Sequence, residues 1–224
     1  MPSEIDDYTQ PWTFEDNSLD YVHLRWLVGT ITDWTELFRQ AYRVLKPGGW
    51  IETFEANGFY ESDDGTLTDK TALSKWGTFF EKGSEALGSK ASFTVVRDHL
   101  QTKGLNEAGF QRVTENYYKA SPVDESHLLI VHHFRRSIAD YYWLIQVPVS
   151  EWAKDPKYKQ IGLITHAALE NDTEGVIGFM ATQIGWTKEE VTAYAAHLRK
   201  ELRTNAVHAY YRANIVYAQK PPSS

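Results

Sequence analysis

The stretch AYRVLKPGGWIETFEA, residues 41–56, contains the signals that decide the fold class. Its pattern predicts the end of a helix, then a glycine turn, then a buried strand. Pro47 cannot continue a helix, and Gly48 and Gly49 suit a turn with positive φ. A helix that leads through such a turn into an apolar strand is typical of an α/β sheet, in which it forms the second half of a strand–helix–strand unit.

The residues before this stretch supply the first half of that unit. Asp33 and Glu36 have the spacing of a capping box, which predicts a helix over residues 32–45. Apolar side chains then recur on one face of this helix, at Trp34, Leu37, Phe38, Ala41, Tyr42 and Leu45. A short apolar run within residues 18–29 predicts a buried strand that ends near residues 23–26. We therefore expect a parallel strand pair joined by a right-handed helical crossover.

Weaker patterns follow the predicted pair. Residues 57–70 are polar and predict a loop, and helical patterns cover about 72–87 and 93–104. Residues 110–119 alternate between polar and apolar side chains, which predicts a strand.

The last third of the chain is predicted to be mainly helical before a final strand. Two or three helices are expected within residues 157–204, the last opened by a capping box at Thr187 and Glu190. Residues 208–221 then predict a closing strand. The predicted class is α/β, with a helical insertion before the last strand.

Composition excludes several kinds of site. The net charge of −7 provides no basic excess for phosphate binding, so we expect no nucleic-acid partner. No apolar run approaches the ~20 residues that span a bilayer, so no membrane span is expected. The chain has no cysteine, which excludes disulfides and thiolate metal sites and is compatible with an intracellular location, in the cytoplasm or the nucleus. Aromatic residues make up 14%, which fits either a ring-rich core or an aromatic-lined pocket.

Two segments together, residues 12–34 (WTFEDNSLDYVHLRWLVGTITDW) and 40–52 (QAYRVLKPGGWIE), resemble the fungal LaeA-like class I S-adenosylmethionine-dependent methyltransferases. Later pieces, among them residues 147–162 and 184–191, also match that family. The resemblance implies a Rossmann-like, mostly parallel sheet that binds its cofactor at the carboxyl ends of the central strands. It implies S-adenosylmethionine as cofactor, a small-molecule or protein methyl acceptor, and a role in secondary metabolism or its regulation.

The resemblance also assigns candidate site residues. Asp6 and Asp7 match the position that faces the adenine amino group, although they also fit a solvated acidic tail. His23 and Arg25 match the end of the fourth family strand, where His23 would contact the cofactor and both would serve as catalytic residues. The alternative is that Arg25 pairs with a carboxylate and that His23 packs against the helix.

Trp34 and Glu55 are the candidates for the substrate pocket. Trp34 opens the helix after the first strand, where a tryptophan also packs readily into the core. Glu52 and Glu55 lie three apart and point to opposite faces of a strand, so they form no acid–base pair, and Glu55 is nearer the strand end. No metal is expected, because the histidines at 127, 132 and 133 lack the spacing of a zinc motif.

The sequence departs from the family in two places. No glycine-rich turn with the pattern GxGxG occurs, so the family's first strands have no counterpart, and we expect weak or no cofactor binding. The strand near residues 19–26 would then have an open edge that the tail, the insertion, a partner protein or missing upstream residues should cover. Residues 120–146 have no family counterpart, and they fit either an extra helix or a translated intron. We therefore describe residues 1–224 as one N-terminally truncated methyltransferase-like domain with an unusual insert at 120–146 and a helical cap at 151–204.

Overall fold

The computed structural model describes residues 7–115 and 145–223 of the chain. These ranges contain five strands and six α-helices, and a 3₁₀ turn at Leu73–Lys75 precedes the second helix. In chain order the elements are β1 (Leu19–Arg25), α1 (Trp34–Val44), β2 (Leu45–Glu61), α2 (Trp76–Ala86), α3 (Leu100–Glu107), β3 (Gln111–Glu115), β4 (Ile145–Pro148), α4 (Pro156–Asn171), α5 (Thr173–Gln183), α6 (Lys188–Thr204) and β5 (Tyr210–Gln219).

The opening stretch forms the predicted helix and strand, but β2 begins directly after the helix, so Pro47, Gly48 and Gly49 lie within the strand and not in a separate turn. The Asp33 side chain caps α1 by accepting a hydrogen bond from the Glu36 N–H. Gly48 has φ +83°, which a glycine adopts without strain. The helix ends at Val44, before Pro47, and β2 already pairs with β1 from Leu45.

Strand β2 is longer than predicted, because residues 57–61 belong to it and not to the expected loop. The partners of these residues come from distant parts of the chain. Tyr60 pairs with Tyr211 across the ladder, and the Asn57 side chain accepts hydrogen bonds from the Val96 and Arg97 N–H groups. Such contacts leave no signal in the local sequence.

The sheet order is β1-β2-β5-β3, with β4 also paired to β5. Strands β1 and β2 are parallel, as expected, whereas β5 is antiparallel to each of β2, β3 and β4. Four strands therefore run in one direction. Because the opposing strand β5 lies in the middle, only one neighbouring pair is parallel, so the mostly parallel sheet that was predicted is a mixed sheet with a single reversed strand.

Two apolar cores lie along this sheet. Helices α1 and α3 pack over the first core, which is built around Phe38, Leu45, Ile51, Leu105 and Val216. The second core joins α2 to the helical insertion α4–α6 that lies between β4 and β5, as predicted. Its buried residues include Leu73, Phe79, Ile177, Leu198 and Leu202.

Other boundaries differ from the predictions by a few residues. Helix α3 begins at Leu100 and not near residue 93, because His99 before it has a left-handed backbone with φ +54°. Of the segment 120–146, only Ile145 and Gln146 fall within the described residues, as the start of β4. The rest of that segment lies outside them.

Strand β1 lies at one end of the sheet, and no described strand pairs with its outer edge. The N-terminal tail runs elsewhere, since the Asn17 and Ser18 N–H groups bond to the carbonyls of Arg43 and Val44 at the end of α1. Tyr21 on β1 is 50% exposed. Among the described helices, none is long and apolar enough to cross a membrane.

Candidate active site

The candidate site lies where β1 and β2 end side by side. Arg25, the last residue of β1, is in register with Phe54 of β2. Trp26 follows at once, with φ +57°, a left-handed backbone that bulky residues rarely adopt. Its N–H donates a hydrogen bond to the Phe54 carbonyl, 3.0 Å away. A tight turn, closed by a hydrogen bond from the Thr30 N–H to the Leu27 carbonyl, therefore follows the strand end within residues 26–30.

The side chain of Glu55 holds this turn from inside the protein. One carboxylate oxygen accepts hydrogen bonds from the Leu27 and Val28 N–H groups at 2.9 Å each, and the other accepts from Leu27 at 3.1 Å. Glu55 is fully buried. Burial raises the pKa of Glu55 to about 7, although the hydrogen bonds from Leu27 and Val28 lower it. The turn thus depends on a carboxyl group that is ready to take up a proton near neutral pH.

The indole of Trp26 stands out from the turn, and the residue is 48% exposed. It meets Phe54 edge to face, with ring centroids 5.5 Å apart and planes at 89°. Tyr211 of β5 lies 6.2 Å from it on centroid distance. We call Trp26, Phe54 and Tyr211 the aromatic corner. It is an aromatic surface on which the Trp26 ring remains about half exposed to solvent.

His23 and Arg25, the predicted catalytic residues, are brought to the same face of β1. The Nδ1 atom of His23 lies 3.0 Å from an oxygen of Glu52, so His23 faces a carboxylate and does not pack against a helix. Arg25 is exposed, and within the described part of the chain its guanidinium forms no ion pair or hydrogen bond. The pairing of Arg25 with a carboxylate, which the sequence left open, is not observed there. The catalytic roles of both residues stay predictions.

Trp34 and Glu55, the predicted pocket residues, are both buried. Trp34 is 6% exposed and packs in the first core, with its ring 5.8 Å from that of Phe38. The carboxylate of Glu55 is occupied by the turn. Neither side chain presents a free surface at the strand ends in this structure, and contact with a substrate stays a prediction for both.

The structure describes one of the two residues predicted to contact the adenine. Asp6 lies outside the described residues. Asp7 is exposed and accepts hydrogen bonds from the N–H and hydroxyl of Thr9, which lower the pKa of Asp7. It therefore caps its own turn, and its contact with a cofactor stays a prediction.

The predictions did not include Trp26 and Tyr211. A position directly after a strand end is a signal for Trp26, whereas its left-handed backbone leaves no mark in the sequence. Tyr211 reaches the corner only because β5 lies beside β2. The histidines at 127, 132 and 133 lie outside the described residues, and within residues 7–115 and 145–223 no group of three metal-ligating side chains is found.

Comparison with known proteins shows that this chain is similar to methyltransferases. A family model described as "Methyltransferase domain" matches residues 5–52, which contain β1, α1 and the first part of β2. Over 221 residues the chain is 29% identical to "Methyltransferase pytC" of Aspergillus terreus, covering 97% of this chain and 57% of that protein. It is 28% identical to the "Secondary metabolism regulator LAE1" of Cochliobolus heterostrophus, covering 96% of this chain and 61% of that protein.

A third relative, "Protein-methionine methyltransferase laeA" of Emericella nidulans, is 23% identical and shares 96% of this chain and 50% of its own length. This chain thus spans roughly half to three fifths of the length of these relatives. Among solved structures, a Haemonchus contortus phosphoethanolamine N-methyltransferase in complex with S-adenosyl-L-methionine aligns with a TM-score of 0.40 and 19% identity, covering 94% of this chain and 35% of that one. Along almost its entire sequence this chain is therefore similar to fungal methyltransferases and to LaeA-type regulators of secondary metabolism.

Proposed function

We propose that the protein acts in S-adenosylmethionine-dependent methyl transfer in fungal secondary metabolism or its regulation. The similarity to fungal methyltransferases over 97% of the chain carries this proposal. The location of the candidate site agrees with it, because ligands of open α/β sheets bind outside the carboxyl ends of the parallel strands. The methyl acceptor is a small molecule or a protein side chain. The protein works inside the cell, in the cytoplasm or the nucleus.

His23 is the residue we assign to proton handling at the acceptor. Methyl transfer depends mainly on positioning, and a base is needed only where the acceptor holds its proton. If the Nδ1–H of His23 donates to Glu52, its Nε2 is left as the proton acceptor. Glu52 then fixes the tautomer and the orientation of the imidazole ring.

The described residues fit the acceptor side of the reaction better than the cofactor side. When bound, S-adenosylmethionine supplies an electrophilic methyl group. Its amino-acid and ribose parts are normally held by a glycine-rich turn between a strand and a helix. The described residues contain no such turn, and Gly48 and Gly49 lie in a strand that follows a helix, which is the reverse order. We therefore expect this chain to bind the cofactor weakly.

Isothermal titration calorimetry with S-adenosylhomocysteine tests the proposal. We expect a dissociation constant above about 100 µM for this chain. A micromolar constant would contradict the expected weak binding and show that the chain holds the cofactor by itself. No detectable binding at millimolar ligand would overturn the enzymatic proposal for this chain.

A second function is favoured by the open edge of β1 and its exposed Tyr21. In this alternative the chain is a cofactor-independent methyltransferase-like pseudoenzyme, which serves as an interaction subunit or as a small-molecule-binding pocket. A protein partner would then cover the sheet edge. Size-exclusion chromatography with light scattering separates the cases, since a monodisperse monomer supports a self-sufficient domain and a chain soluble only with a partner supports the interaction subunit.

The domain organisation is part of the proposal. We treat residues 1–224 as one methyltransferase-like domain in which residues 151–204 form a helical cap. The second core supports this arrangement, because it joins the cap to α2 and to the Leu73–Lys75 turn of the same unit.

A further inference from the structure

We propose that Arg25 and Trp26 form a binding site for a planar aromatic molecule that carries a carboxylate. This inference rests on the proposed function in one respect, because it takes the bound molecule to be the methyl acceptor. It concerns binding alone and needs no cofactor.

The backbone at Trp26 is the first observation. A left-handed conformation is disfavoured for a bulky side chain and persists only where the surrounding structure enforces it. Here three groups enforce it: the Phe54 carbonyl accepts from Trp26, Glu55 accepts from Leu27 and Val28, and the Gly29 N–H donates to the Ser92 carbonyl. These contacts hold the backbone in a conformation that places the Trp26 ring outside the core.

The exposure of the ring is the second observation. Packing would favour burial of an indole, yet Trp26 remains 48% exposed beside two further rings. An aromatic ligand that packs against this surface gains both apolar burial and ring–ring contact. The aromatic corner therefore favours a flat ring system over an aliphatic chain.

The charge of Arg25 is the third observation, and it sets the polarity of the ligand. Arg25 pairs in register with Phe54, so the two side chains leave the sheet on the same face. Two acidic residues on the neighbouring strand already have partners, Glu52 in the His23 imidazole at 3.0 Å and Glu61 in the Arg212 guanidinium at 2.6 Å. The guanidinium of Arg25 has no such partner among the described residues, and its planar fork suits a carboxylate.

Ligand-observed NMR and calorimetry with naphthoate, without any cofactor, test the site. Naphthylmethanol, which has the same ring system without the charge, is the matched ligand. We expect the wild-type protein to bind naphthoate with a dissociation constant in the range of about 0.1–1 mM and naphthylmethanol at least about tenfold more weakly.

Four variants locate the binding. Trp26→Ala should weaken the binding of both ligands about tenfold. Arg25→Gln should weaken the binding of naphthoate alone, so that the two ligands bind with similar affinity. Trp26→Phe keeps a ring and should recover part of the binding, which covers the case in which Trp26→Ala fails to fold. Tyr21→Ala removes a similarly exposed ring from the adjoining strand β1 and should leave the binding of both ligands unchanged.

The results separate this inference from the proposed function. Absence of naphthoate binding at about 5 mM, or equal losses in Tyr21→Ala and Trp26→Ala, would overturn the inferred site. Naphthoate binding with the expected variant pattern supports the site, even if the chain then shows no binding of S-adenosylhomocysteine. That second result would overturn only the enzymatic proposal.

Discussion

Glu55 illustrates at the scale of one residue how burial and hydrogen bonding compete. Its carboxylate accepts hydrogen bonds from two backbone N–H groups but faces no cation among the described residues. Desolvation outweighs the hydrogen bonds, so the ionised form is disfavoured in the folded protein. The turn that carries Trp26 therefore depends on a group that titrates near pH 7.

This raised pKa predicts a specific pH dependence of stability. The folded protein holds the Glu55 proton up to a pH of about 7, whereas the unfolded chain releases it near 4.5. Protonated Glu55 therefore contributes its full stabilisation below about pH 4.5. Up to about 3 kcal/mol of the free energy of unfolding is lost as the pH rises from about 4.5 to about 7. Glu55→Gln carries no proton equilibrium, so its stability relative to wild type should rise from pH 5 to pH 8.

Urea unfolding at these two pH values measures the effect. Glu85→Gln changes an exposed glutamate on α2 and serves as the control. A pH dependence that is the same in wild type and in Glu55→Gln would contradict the assignment.

Lys220 is a second polar residue that acts from a buried position. It is 9% exposed, and its ammonium donates to the Asn17 side chain and to the carbonyls of Tyr42 and Leu45, at 2.7–2.8 Å. It thereby satisfies carbonyls at the end of α1 that the helix itself leaves free.

Lys220→Met should lower the free energy of unfolding by about 1–3 kcal/mol, because buried carbonyls lose their donor. Lys46→Met removes a half-exposed lysine that pairs with Asp20 and should cost less than about 1 kcal/mol. Chemical denaturation of both variants measures the difference. Equal losses would show that Lys220 has no special role.

At the scale of elements, helix ends follow the local sequence closely. The Thr187 side chain accepts from the Glu190 N–H at 3.2 Å, and the Glu190 carboxylate accepts from the Thr187 N–H at 2.7 Å. Both halves of the predicted capping box are therefore present at the start of α6. Asp33 caps α1 in the same way with one of these two hydrogen bonds, since its side chain accepts from the Glu36 N–H.

Removal of this cap should destabilise the protein in a predictable way. Thr187→Ala should cost about 1 kcal/mol, because N–H groups of the first turn lose their acceptor. Thr192→Ala, one turn further along α6, removes only a hydroxyl bonded to the Lys188 carbonyl and should be close to neutral. Thermal unfolding followed by circular dichroism compares them, and a larger loss for Thr192→Ala would contradict the capping role.

At the scale of the whole molecule, β5 links the two cores. Its C-terminal part contributes Val216 and Ala218 to the first core, while Ala209 just before it belongs to the second. Strand β2 does the same, since Ile51 lies in the first core and Tyr60 packs against the second. The domain and its helical cap are therefore expected to unfold together.

Core truncations in each half test this cooperativity. Phe38 and Phe79 are fully or almost fully buried in the first and second core. Phe38→Ala and Phe79→Ala should each cost about 3–5 kcal/mol and shift one shared transition. Differential scanning calorimetry would contradict this if Phe79→Ala produced a separate, earlier transition while the main one stayed in place.

The open edge of β1 is also a property of the whole molecule. The sequence predicts that something should cover it, and the described N-terminal tail does not, because that tail bonds to the end of α1. The edge is thus the place at which a partner chain would add to the sheet.

The sequence by itself determined the local units of this protein. Helical periodicity, the caps at Asp33 and Thr187, and the Pro47 stop define α1 and α6, because each signal acts within a few residues. The two-residue period of β1 likewise places His23 and Arg25 on one face. These features need no knowledge of distant contacts.

Only the tertiary structure decided the length of β2, the position of β5 in the middle of the sheet and the shape of the candidate site. Glu55 reaches the turn 28 residues earlier in the chain, and Tyr211 completes the aromatic corner from the last strand. The left-handed backbone of Trp26 results from those contacts and not from its own preference. Long-range hydrogen bonds and ring packing set these features, and their partners are far apart in the sequence, so no local pattern could reveal them.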